Sequence, residues 1–409
     1  MVKTSKRLAA FRAGTAYLSK VNAASLASLA ADWQARAMAR GNPSHIELAV
    51  GSVEFLARAQ ADLARASRRV LIQAMTFEGD AAGQAVAAAI TASPAQDRRV
   101  LVDDYTRHVI NDRFLSFSRD LALSAEAEAT WAMFDSLERS GIGLRLTNPV
   151  GANPLRYATR NHKKLLVIDD AAWIGGINFS DHNFAWHDMM VRIEHSEVAD
   201  WLAREFERDW AGEVGSNAAS VSDIDLLSLD GTANAAGFEP LLELIGNAQS
   251  EIEVVSAYPT FPFVDALAAV AARGVPVRLY TPRPNNKPVI RDYLLGVARR
   301  SGLDLRLTPM MTHAKALLVD GRTLVVGSSN FDFVSHRANA EYLATIRDPA
   351  LIGEFTTRVL EALRQGAEVP QPQEHSSWRA WKAHAGLRIA DMLVSLLDQG
   401  PRIAEWRRR

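Results

Sequence analysis

The residues best suited to chemistry in this 409-residue chain occur twice, in the pattern H-x-K-x-x-x-x-D. In chain order the motif residues are His162, Lys164 and Asp169, then His313, Lys315 and Asp320. Each copy continues to a glycine-containing turn that ends in an asparagine, Asn178 in the first and Asn330 in the second. Only 8 of the 46 basic residues are lysines, so two matching copies are not expected by chance.

Both copies run into apolar stretches, KLLVID and KALLVD, which are typical of strands buried on both faces. Because side chains alternate along a strand, His162 and Lys164 should share one face, and so should His313 and Lys315. A lysine supplies positive charge to such a face, and a histidine can act as a nucleophile or as a proton donor. The pattern therefore indicates an anion site.

Two such sets around one point would suit a phosphodiester. One histidine would attack phosphorus, the other would protonate the leaving oxygen, and the lysines with Asn178 and Asn330 would hold the non-bridging oxygens. Ser328 and Ser329 are further candidates for binding the substrate phosphate. Such a site carries its own positive charge, so we expect it to need no metal and no other cofactor.

The paired motifs and their asparagine tails resemble the phospholipase D superfamily, and the flanking segments are similar to its cardiolipin synthase branch. Those segments are WHD at 186–188 and the S-x-x-x-N-x-E stretch of Ser335, Asn339 and Glu341. The resemblance covers about residues 45–370 and implies a two-lobed α/β fold with a covalent phosphohistidine intermediate. It makes His162 the nucleophile and His313 the general acid, whereas the internal symmetry alone favours neither.

The same resemblance implies a carboxylate partner for each catalytic histidine. Asp188 follows the first motif histidine by 26 residues, and Glu341 follows the second by 28. A carboxylate on the far imidazole nitrogen fixes the tautomer and stabilises the charged ring. Asp169 and Asp320 belong to the same catalytic motifs, but we expect them to hold the turn after the strand rather than to touch substrate.

Two features of the sequence leave the particular substrate open. Members that make cardiolipin commonly begin with transmembrane helices, and no run here approaches the ~18 apolar residues that span a bilayer. Val334 stands where an arginine is often found.

A metal site is an alternative use of the remaining nearby histidines, His182, His187, His195 and His336. Their spacing lacks an HxxEH or HxH pattern, which speaks against it.

The repeat extends beyond the motifs, since apolar strand patterns alternate with helical segments in both halves. We therefore expect two tandem lobes, each a mainly parallel mixed sheet flanked by helices, related by a pseudo-two-fold axis with the active site between them. The expected divisions are a helical appendage at 1–44, lobes at 45–212 and 221–372, a linker at 213–220 and an amphipathic tail at 373–409.

Both terminal segments allow two interpretations. Residues 1–44 are rich in alanine and read as a helix packed on the first lobe or as a partner-binding segment. The tail carries Trp378, Trp381 and Trp406 and closes on three arginines. Tryptophan and arginine around an apolar helical face suit a membrane interface, while the alternative is a helix that covers the core.

Composition limits the classes of function. The absence of cysteine excludes disulfides and thiol chemistry, and a net charge of −1 gives no general field for nucleic acid. We predict a phosphatidyltransferase or phospholipase D that uses a phospholipid with an alcohol or water acceptor. Its expected location is cytoplasmic, and peripheral on the inner face of the membrane if the tail binds lipid. A nucleic-acid phosphodiesterase and an inactive scaffold are the alternatives, and the sequence does not indicate the oligomeric state.

Overall fold

The structure, a computed structural model, describes residues 45–151, 154–397 and 402–406. The predicted appendage at 1–44 and the terminal arginines lie outside these residues. Among the residues that are described, no helix is both long enough and apolar enough to cross a bilayer.

The described chain forms two compact units. Unit one contains residues 45–173, 177–213 and 402–406, and unit two contains residues 174–176 and 214–397. The first strands of the chain are β1 (His45–Val50), β2 (Arg69–Ala74), β3 (Asp97–Asp103), β4 (Val109–Ile110), β5 (Arg113–Phe114), β6 (Gly143–Thr147), β7 (Leu165–Ile168), β8 (Ala171–Gly175) and β9 (Met189–Glu194). The helices among and after them are α1 (Ser52–Arg65), α2 (Ala81–Ala92), α3 (Leu121–Arg139), α4 (Asp181–Phe184) and α5 (Ser196–Ala211).

The sheet of unit one runs in the order β1-β9-β8-β7-β2-β3-β6 and ends with a short strand from the C-terminal segment. Parallel pairing joins β2 to β3 and β3 to β6, whereas β7 pairs antiparallel with β2. Every residue of β7 and β8 is buried, as their unbroken apolar sequences predict. Apolar residues from α1, α2 and α3, among them Phe55, Val86 and Phe134, complete the core against this sheet.

Unit two repeats this arrangement. Its strands are β10 (Asn217–Val221), β11 (Ile224–Leu229), β12 (Ile252–Val255), β13 (Val277–Pro282), β14 (Asp304–Thr308), β15 (Ala316–Val319), β16 (Thr323–Gly327) and β17 (Glu341–Ile346). Its helices are α6 (Asn234–Gly246), α7 (Phe263–Ala272), α8 (Pro288–Ser301), α9 (Phe333–Arg337), α10 (Pro349–Phe355), α11 (Glu361–Gly366) and α12 (Ser377–Val394). The sheet order is β10-β11-β17-β16-β15-β12-β13-β14, so seven strands, from β11 to β14, correspond one to one with those from β1 to β6 in the sheet of unit one.

The predicted mixed α/β class and the two repeated lobes are confirmed, but the predominance of parallel strands is wrong. In unit two only β12–β13 and β13–β14 are parallel pairs among the described strands. Five other pairs are antiparallel, namely β10–β11, β11–β17, β16–β17, β15–β16 and β12–β15. The reason lies in the turn after each motif, because strands joined by so few residues can pair only as a hairpin.

That turn begins at the motif aspartate in both units. Asp169 and Asp320 have φ of 49° and 54°, a left-handed conformation that aspartate adopts more readily than most residues. The Asp169 carboxylate accepts hydrogen bonds from the backbone N–H groups of Ser67 and Arg68, at 2.8 and 2.9 Å. Both aspartates therefore hold a turn, and the four residues between lysine and aspartate are the strand itself.

The predicted linker is shorter than expected. Residues 217–220 lie in β10, which pairs antiparallel with β11, so the irregular connection before unit two is 213–216. Small polar residues suggested a loop, but β10 is an edge strand with alternating exposure, and such a strand needs few apolar side chains.

The two parts of the C-terminal tail pack in different places, the helix in unit two and the final strand in unit one. Helix α12 starts after Ser376, whose hydroxyl accepts a hydrogen bond from the Arg379 N–H, and it packs on α8. The final strand, β18 (Ile403–Glu405), pairs with β6 in unit one. Trp406 is buried against Phe134, and its Nε1 donates to Asp135 at 2.8 Å. Trp406 is therefore a core residue, and its assignment to a membrane interface is wrong.

The turn-holding role of the motif aspartate predicts a pH-dependent loss of stability in Asp169→Asn. Burial alone would raise the pKa of Asp169, but the N–H groups of Arg69, Ser67 and Arg68 outweigh it and hold that pKa below its usual value. A carboxyl with a lowered pKa stabilises the fold above its unfolded pKa of ~3.9, and this stabilisation is lost as pH falls through the folded-state pKa. We expect the variant to lose about 1 kcal/mol of unfolding free energy at pH 7.

Asp170→Asn is the matched control, because Asp170 occupies the same turn but is exposed and pairs only at the surface with Arg68. Urea denaturation at pH 7 and again below pH 4 would measure both variants. An equal loss in the two variants, or a loss in Asp169→Asn that does not shrink in acid, would contradict the role given to Asp169.

Candidate active site

The first histidine–lysine pair lies in the extended segment that enters β7. His162 and Lys164 precede the first strand residue, Leu165, and both are buried, with Lys164 only 1% exposed. The Nζ of Lys164 donates a hydrogen bond to the backbone oxygen of His162 at 2.7 Å. The ammonium therefore lies beside the histidine, as the spacing predicted.

The intervening lysine has a different partner. The Nζ of Lys163 lies 2.8 Å from one carboxylate oxygen of Asp209 and 3.0 Å from the other, and the side-chain amide of Gln73 donates to the same carboxylate. Asp209 lies on α5, so this buried pair ties the motif segment to that helix. Alternation along the chain thus directs one lysine to a structural ion pair and the next toward the histidine.

A buried ion pair immediately before His162 fixes its backbone. Arg160 Nη1 lies 2.7 Å from the Asp103 carboxylate, and the Asn161 N–H donates to the other oxygen of Asp103 at 2.6 Å. Burial raises the pKa of Asp103 to about 6, against the opposing effect of Arg160 and of the N–H groups of Tyr105 and Asn161. The sequence prediction missed this network.

A comparison of the two motif copies was the available signal. The repeat breaks at the residue two before each histidine, where Arg160 in the first copy corresponds to Met311 in the second. Asp103 and Pro282 also correspond, because each is the last residue of its strand, β3 or β13, and pairs with the last residue of β6 or β14. The buried ion pair is therefore particular to unit one.

The predicted residues that follow the first motif reach the same end of the sheet. Asn178 comes just after β8, and its Oδ1 accepts a hydrogen bond from the Thr76 N–H at 3.3 Å. Asp188 comes just before β9, and its carboxylate accepts from the Met189 N–H. The start of β7, the end of β8 and the start of β9 share one edge of a hairpin sheet. The sequence candidates therefore gather at this edge.

Unit two presents the second pair in the same way. His313 and Lys315 precede β15, and both are buried. The Lys315 Nζ lies 2.8 Å from Nδ1 and 2.9 Å from Nε2 of His313 and donates to its backbone oxygen at 2.5 Å. Asp320 follows the far end of this four-residue strand, seven residues after His313 and so about 20 Å away along the extended chain, and it holds the backbone of residues 249–251. The motif aspartates are thus remote from their histidines.

Asn330 has a buried side-chain oxygen without a hydrogen-bond partner among the described residues. Its backbone oxygen accepts from the Ser256 hydroxyl at 2.7 Å, which fixes the turn. The turn also requires Gly327, because a Cβ there would lie 2.1 Å from the backbone oxygen of Tyr342. The unused atom is an acceptor, so this buried amide oxygen can accept an N–H or O–H from a ligand at the histidine edge.

Glu341 is enclosed by serine hydroxyls. Ser328 donates to one of its carboxylate oxygens, and Ser335 donates to the other at 2.7 Å. The Ser328 oxygen also accepts from the Tyr342 N–H, while the Ser329 oxygen accepts from Phe331 N–H. Ser328 therefore supports Glu341 here, and the binding of phosphate by these two serines stays a prediction.

Tyr258 and Lys287 extend the second set and were missed from the sequence. The Tyr258 ring centroid lies 5.9 Å from that of His313, and the Lys287 Nζ lies 4.1 Å from the Tyr258 centroid. The Tyr258 hydroxyl donates to Asn286 at 2.6 Å. Because lysine is scarce in this chain, the lysine between β13 and α8 was a signal that could have been used.

The alternative of a histidine metal site gains no support within the described ranges. The one group of possible ligands there consists of the carboxylates Glu78, Asp80 and Glu126. Burial raises the pKa of Glu78 well above its usual value, and the neighbouring Asp80 and Glu126 add to this effect. Burial also raises the pKa of Asp80 to about 7. The pKa values of Glu78 and Asp80 are therefore both raised, and Asp80 also caps α2 by accepting a hydrogen bond from the Gly83 N–H.

Known proteins share both the sequence pattern and the fold. The profile of the family described as cardiolipin synthase, PLD-like domain, matches residues 60–210 and 241–363. Cardiolipin synthase A of Pseudomonas fluorescens is 27% identical over 354 residues, which is 80% of this chain and 70% of the relative. Cardiolipin synthase B of Shigella flexneri is 27% identical over 318 residues, 70% of this chain and 72% of the relative.

The phosphatidylserine synthase of Haemophilus influenzae has a similar fold, with a TM-score of 0.66 and 17% identity over 86% of this chain and 95% of its own. The family profile covers more than half of the chain, and each matched segment contains one buried histidine–lysine pair. The chain therefore belongs to the cardiolipin synthase family, whose members are phosphatidyltransferase-type enzymes of the phospholipase D superfamily.

Proposed function

We propose that this enzyme transfers a phosphatidyl group from one phospholipid to an alcohol or to water through a covalent phosphohistidine. The observation that carries the proposal is the buried His–Lys pair, which recurs at the same strand edge in both units. A single buried lysine at a strand end would destabilise the fold, because its ammonium loses its hydration. Two, each beside a histidine, provide fixed positive charge for a phosphate.

The proposed reaction has two displacements at phosphorus. In the first, an imidazole nitrogen of His162 attacks phosphorus, the bond to the headgroup oxygen breaks, and His313 gives that oxygen its proton. In the second, His313 takes the proton of the acceptor hydroxyl, whose oxygen attacks phosphorus and releases His162. The acceptor decides the product, because a lipid alcohol gives a new phospholipid and water gives phosphatidic acid.

The remaining side chains would stabilise charge and geometry. Lys164 and Lys315 would neutralise the non-bridging oxygens, with Asn178 and Asn330 as neutral donors. Asp188 and Glu341 would orient the imidazoles as carboxylate partners. This charge comes from the protein itself, so the proposed reaction requires no metal ion.

The local asymmetry supports His162 as the nucleophile. An in-line attack depends on a fixed position of the attacking nitrogen, and the Asp103–Arg160 pair fixes the backbone at Asn161, next to His162. At His313 the corresponding neighbours are Met311 and Pro282, which can form no such pair. The general acid has a less exacting position, since it only has to reach the leaving oxygen.

The first test is phosphatidyl turnover with and without chelator. Purified protein with phosphatidylglycerol vesicles should form cardiolipin or phosphatidic acid, and EDTA should leave the rate unchanged. His162→Ala and His313→Ala should each lower the rate by about 10³-fold or more, because catalytic groups that act as a unit cannot replace one another. Thin-layer separation of radiolabelled lipids would measure both products.

His195→Ala is the matched control, since His195 precedes α5 and its side chain caps no N–H there. It should retain the rate of the unmodified enzyme. Loss of turnover in EDTA that added metal restores would contradict the metal-free reaction. Cleavage of DNA in place of lipid would favour the nucleic-acid phosphodiesterase.

A second test assigns the two histidines. A phosphatidyl ester of p-nitrophenol has a leaving group that departs without a proton, so it bypasses the general acid. With this substrate His313→Ala should release a burst of nitrophenol and retain a radiolabelled phosphatidyl group on the protein. His162→Ala should give neither. A burst in His162→Ala with none in His313→Ala would show that the roles are reversed.

A further inference from the structure

Helix α12 packs on the rest of unit two through one of its sides. Ala380, Ala383, Leu387 and Val394 are buried, and the contact with α8 is so close that a Cβ on Gly296 would lie 2.6 Å from the Ala380 Cβ. These residues recur at helical spacing and therefore share one side of the helix.

Two ion pairs also fix the orientation of this helix. Arg337 binds Asp391 at 2.8 Å, and Arg388 binds Asp265 at 2.8 Å. The Arg388 guanidinium additionally lies 3.7 Å from the centre of the Phe261 ring. The side of α12 that is turned away from unit two is therefore defined by these contacts.

The outward side of α12 is apolar as well. Six of the twelve exposed large apolar side chains in the described chain belong to this helix and the turn after it. They are Trp378, Trp381, Ile389, Met392, Leu393 and Leu396, each more than half exposed. With about 100° per residue they fall within roughly a third of the helix circumference, along a stripe about 27 Å long. The helix thus has two apolar sides, rather than the single one of the predicted amphipathic tail.

The charges around this stripe are basic. Lys382 lies within the stripe, with its Nζ 5.8 Å from the centre of the Trp378 ring. Arg379, which follows Trp378 in the sequence, is also exposed. Arg299 and Arg300 are exposed at the end of α8, where Arg299 approaches the Ser377 hydroxyl at 3.4 Å. The helix contributes one carboxylate, Asp391, and that group is paired with Arg337.

We propose that the outward side of α12 docks on an anionic phospholipid bilayer. The stacked rings of Trp378 and Trp381, 5.1 Å apart, would lie among the headgroups, because an indole has an apolar body and a polar N–H. Ile389, Met392 and Leu393 would enter the acyl region, and the basic rim would contact lipid phosphates. The charge complementarity favours a lipid surface over an uncharged protein partner. The proposal rests on the proposed function, since a phosphatidyl donor is presented at a bilayer.

Vesicle binding tests the docking surface directly. The full chain should sediment with vesicles of phosphatidylglycerol and phosphatidylcholine in equal parts, and less with phosphatidylcholine alone. Trp378→Ala combined with Trp381→Ala should lower the partition coefficient at least about tenfold. Lys382→Glu should weaken binding to the anionic vesicles only, and added salt should reduce the difference. The matched control is Val289→Ser with Val369→Ser, two exposed apolar residues elsewhere in unit two, which should bind like the unmodified protein.

Activity on two substrate forms separates this proposal from the proposed function. The tryptophan variant should keep its rate on short-chain monomeric phosphatidylglycerol and lose rate on vesicles, whereas His162→Ala should lose both. Unchanged vesicle binding in the tryptophan variant would overturn the docking surface and leave the function intact. Binding through α12 without any phosphatidyl turnover would overturn the function alone.

Other occupants of the stripe give different outcomes. If a second copy covered it, size-exclusion chromatography would show a dimer that the tryptophan substitutions dissociate. If residues 1–44 covered it, the full chain would not bind vesicles, whereas a variant that lacks these residues would bind. Either result would overturn the proposal.

Discussion

The tight turn at the end of each motif strand is the constraint on which the rest of the site depends. Asp169 and Asp320 adopt a left-handed conformation and bind the backbone of the preceding loop, so the chain reverses at once. The next strand must then pair antiparallel and return to the edge where the motif began. That return brings Asn178 or Asn330 to the level of its histidine. The aspartate acts at a distance, by fixing the hairpin that closes the site.

A second constraint is the burial of positive charge at that edge. Lys164 and Lys315 are each 1% exposed, and a desolvated ammonium is costly unless oxygen atoms surround it. The backbone oxygens of the two histidines provide part of that environment. In the proposed reaction this positive charge is in place before the phosphate binds, and it acts instead of a mobile cation.

The sequence was informative where local spacing determines geometry. The H-x-K spacing and the apolar run after it predicted which side chains lie together and which strands are buried. Pairing direction was mispredicted, because an alternation of strands and helices does not reveal that β7 and β8 form a hairpin. Trp406 was mispredicted for a similar reason, since its burial depends on the pairing of β18 with β6, far away in sequence. Non-local contacts such as Asp103–Arg160 leave no periodic signal.

The repeat is symmetric in its histidine–lysine pairs and asymmetric in the residues that surround them. His162 follows a segment whose backbone is fixed by the buried Asp103–Arg160 ion pair. His313 lies near the Tyr258 ring, which the Lys287 ammonium contacts. Identical motifs can perform different steps only if such neighbours differ, because the imidazole and ammonium groups themselves are the same. In the proposed mechanism a rigid backbone would suit His162 as the group that forms the covalent bond. In the same proposal the Lys287 ammonium and the Tyr258 ring would suit the side that receives and releases the alcohol, where charge and contact would change during each turnover.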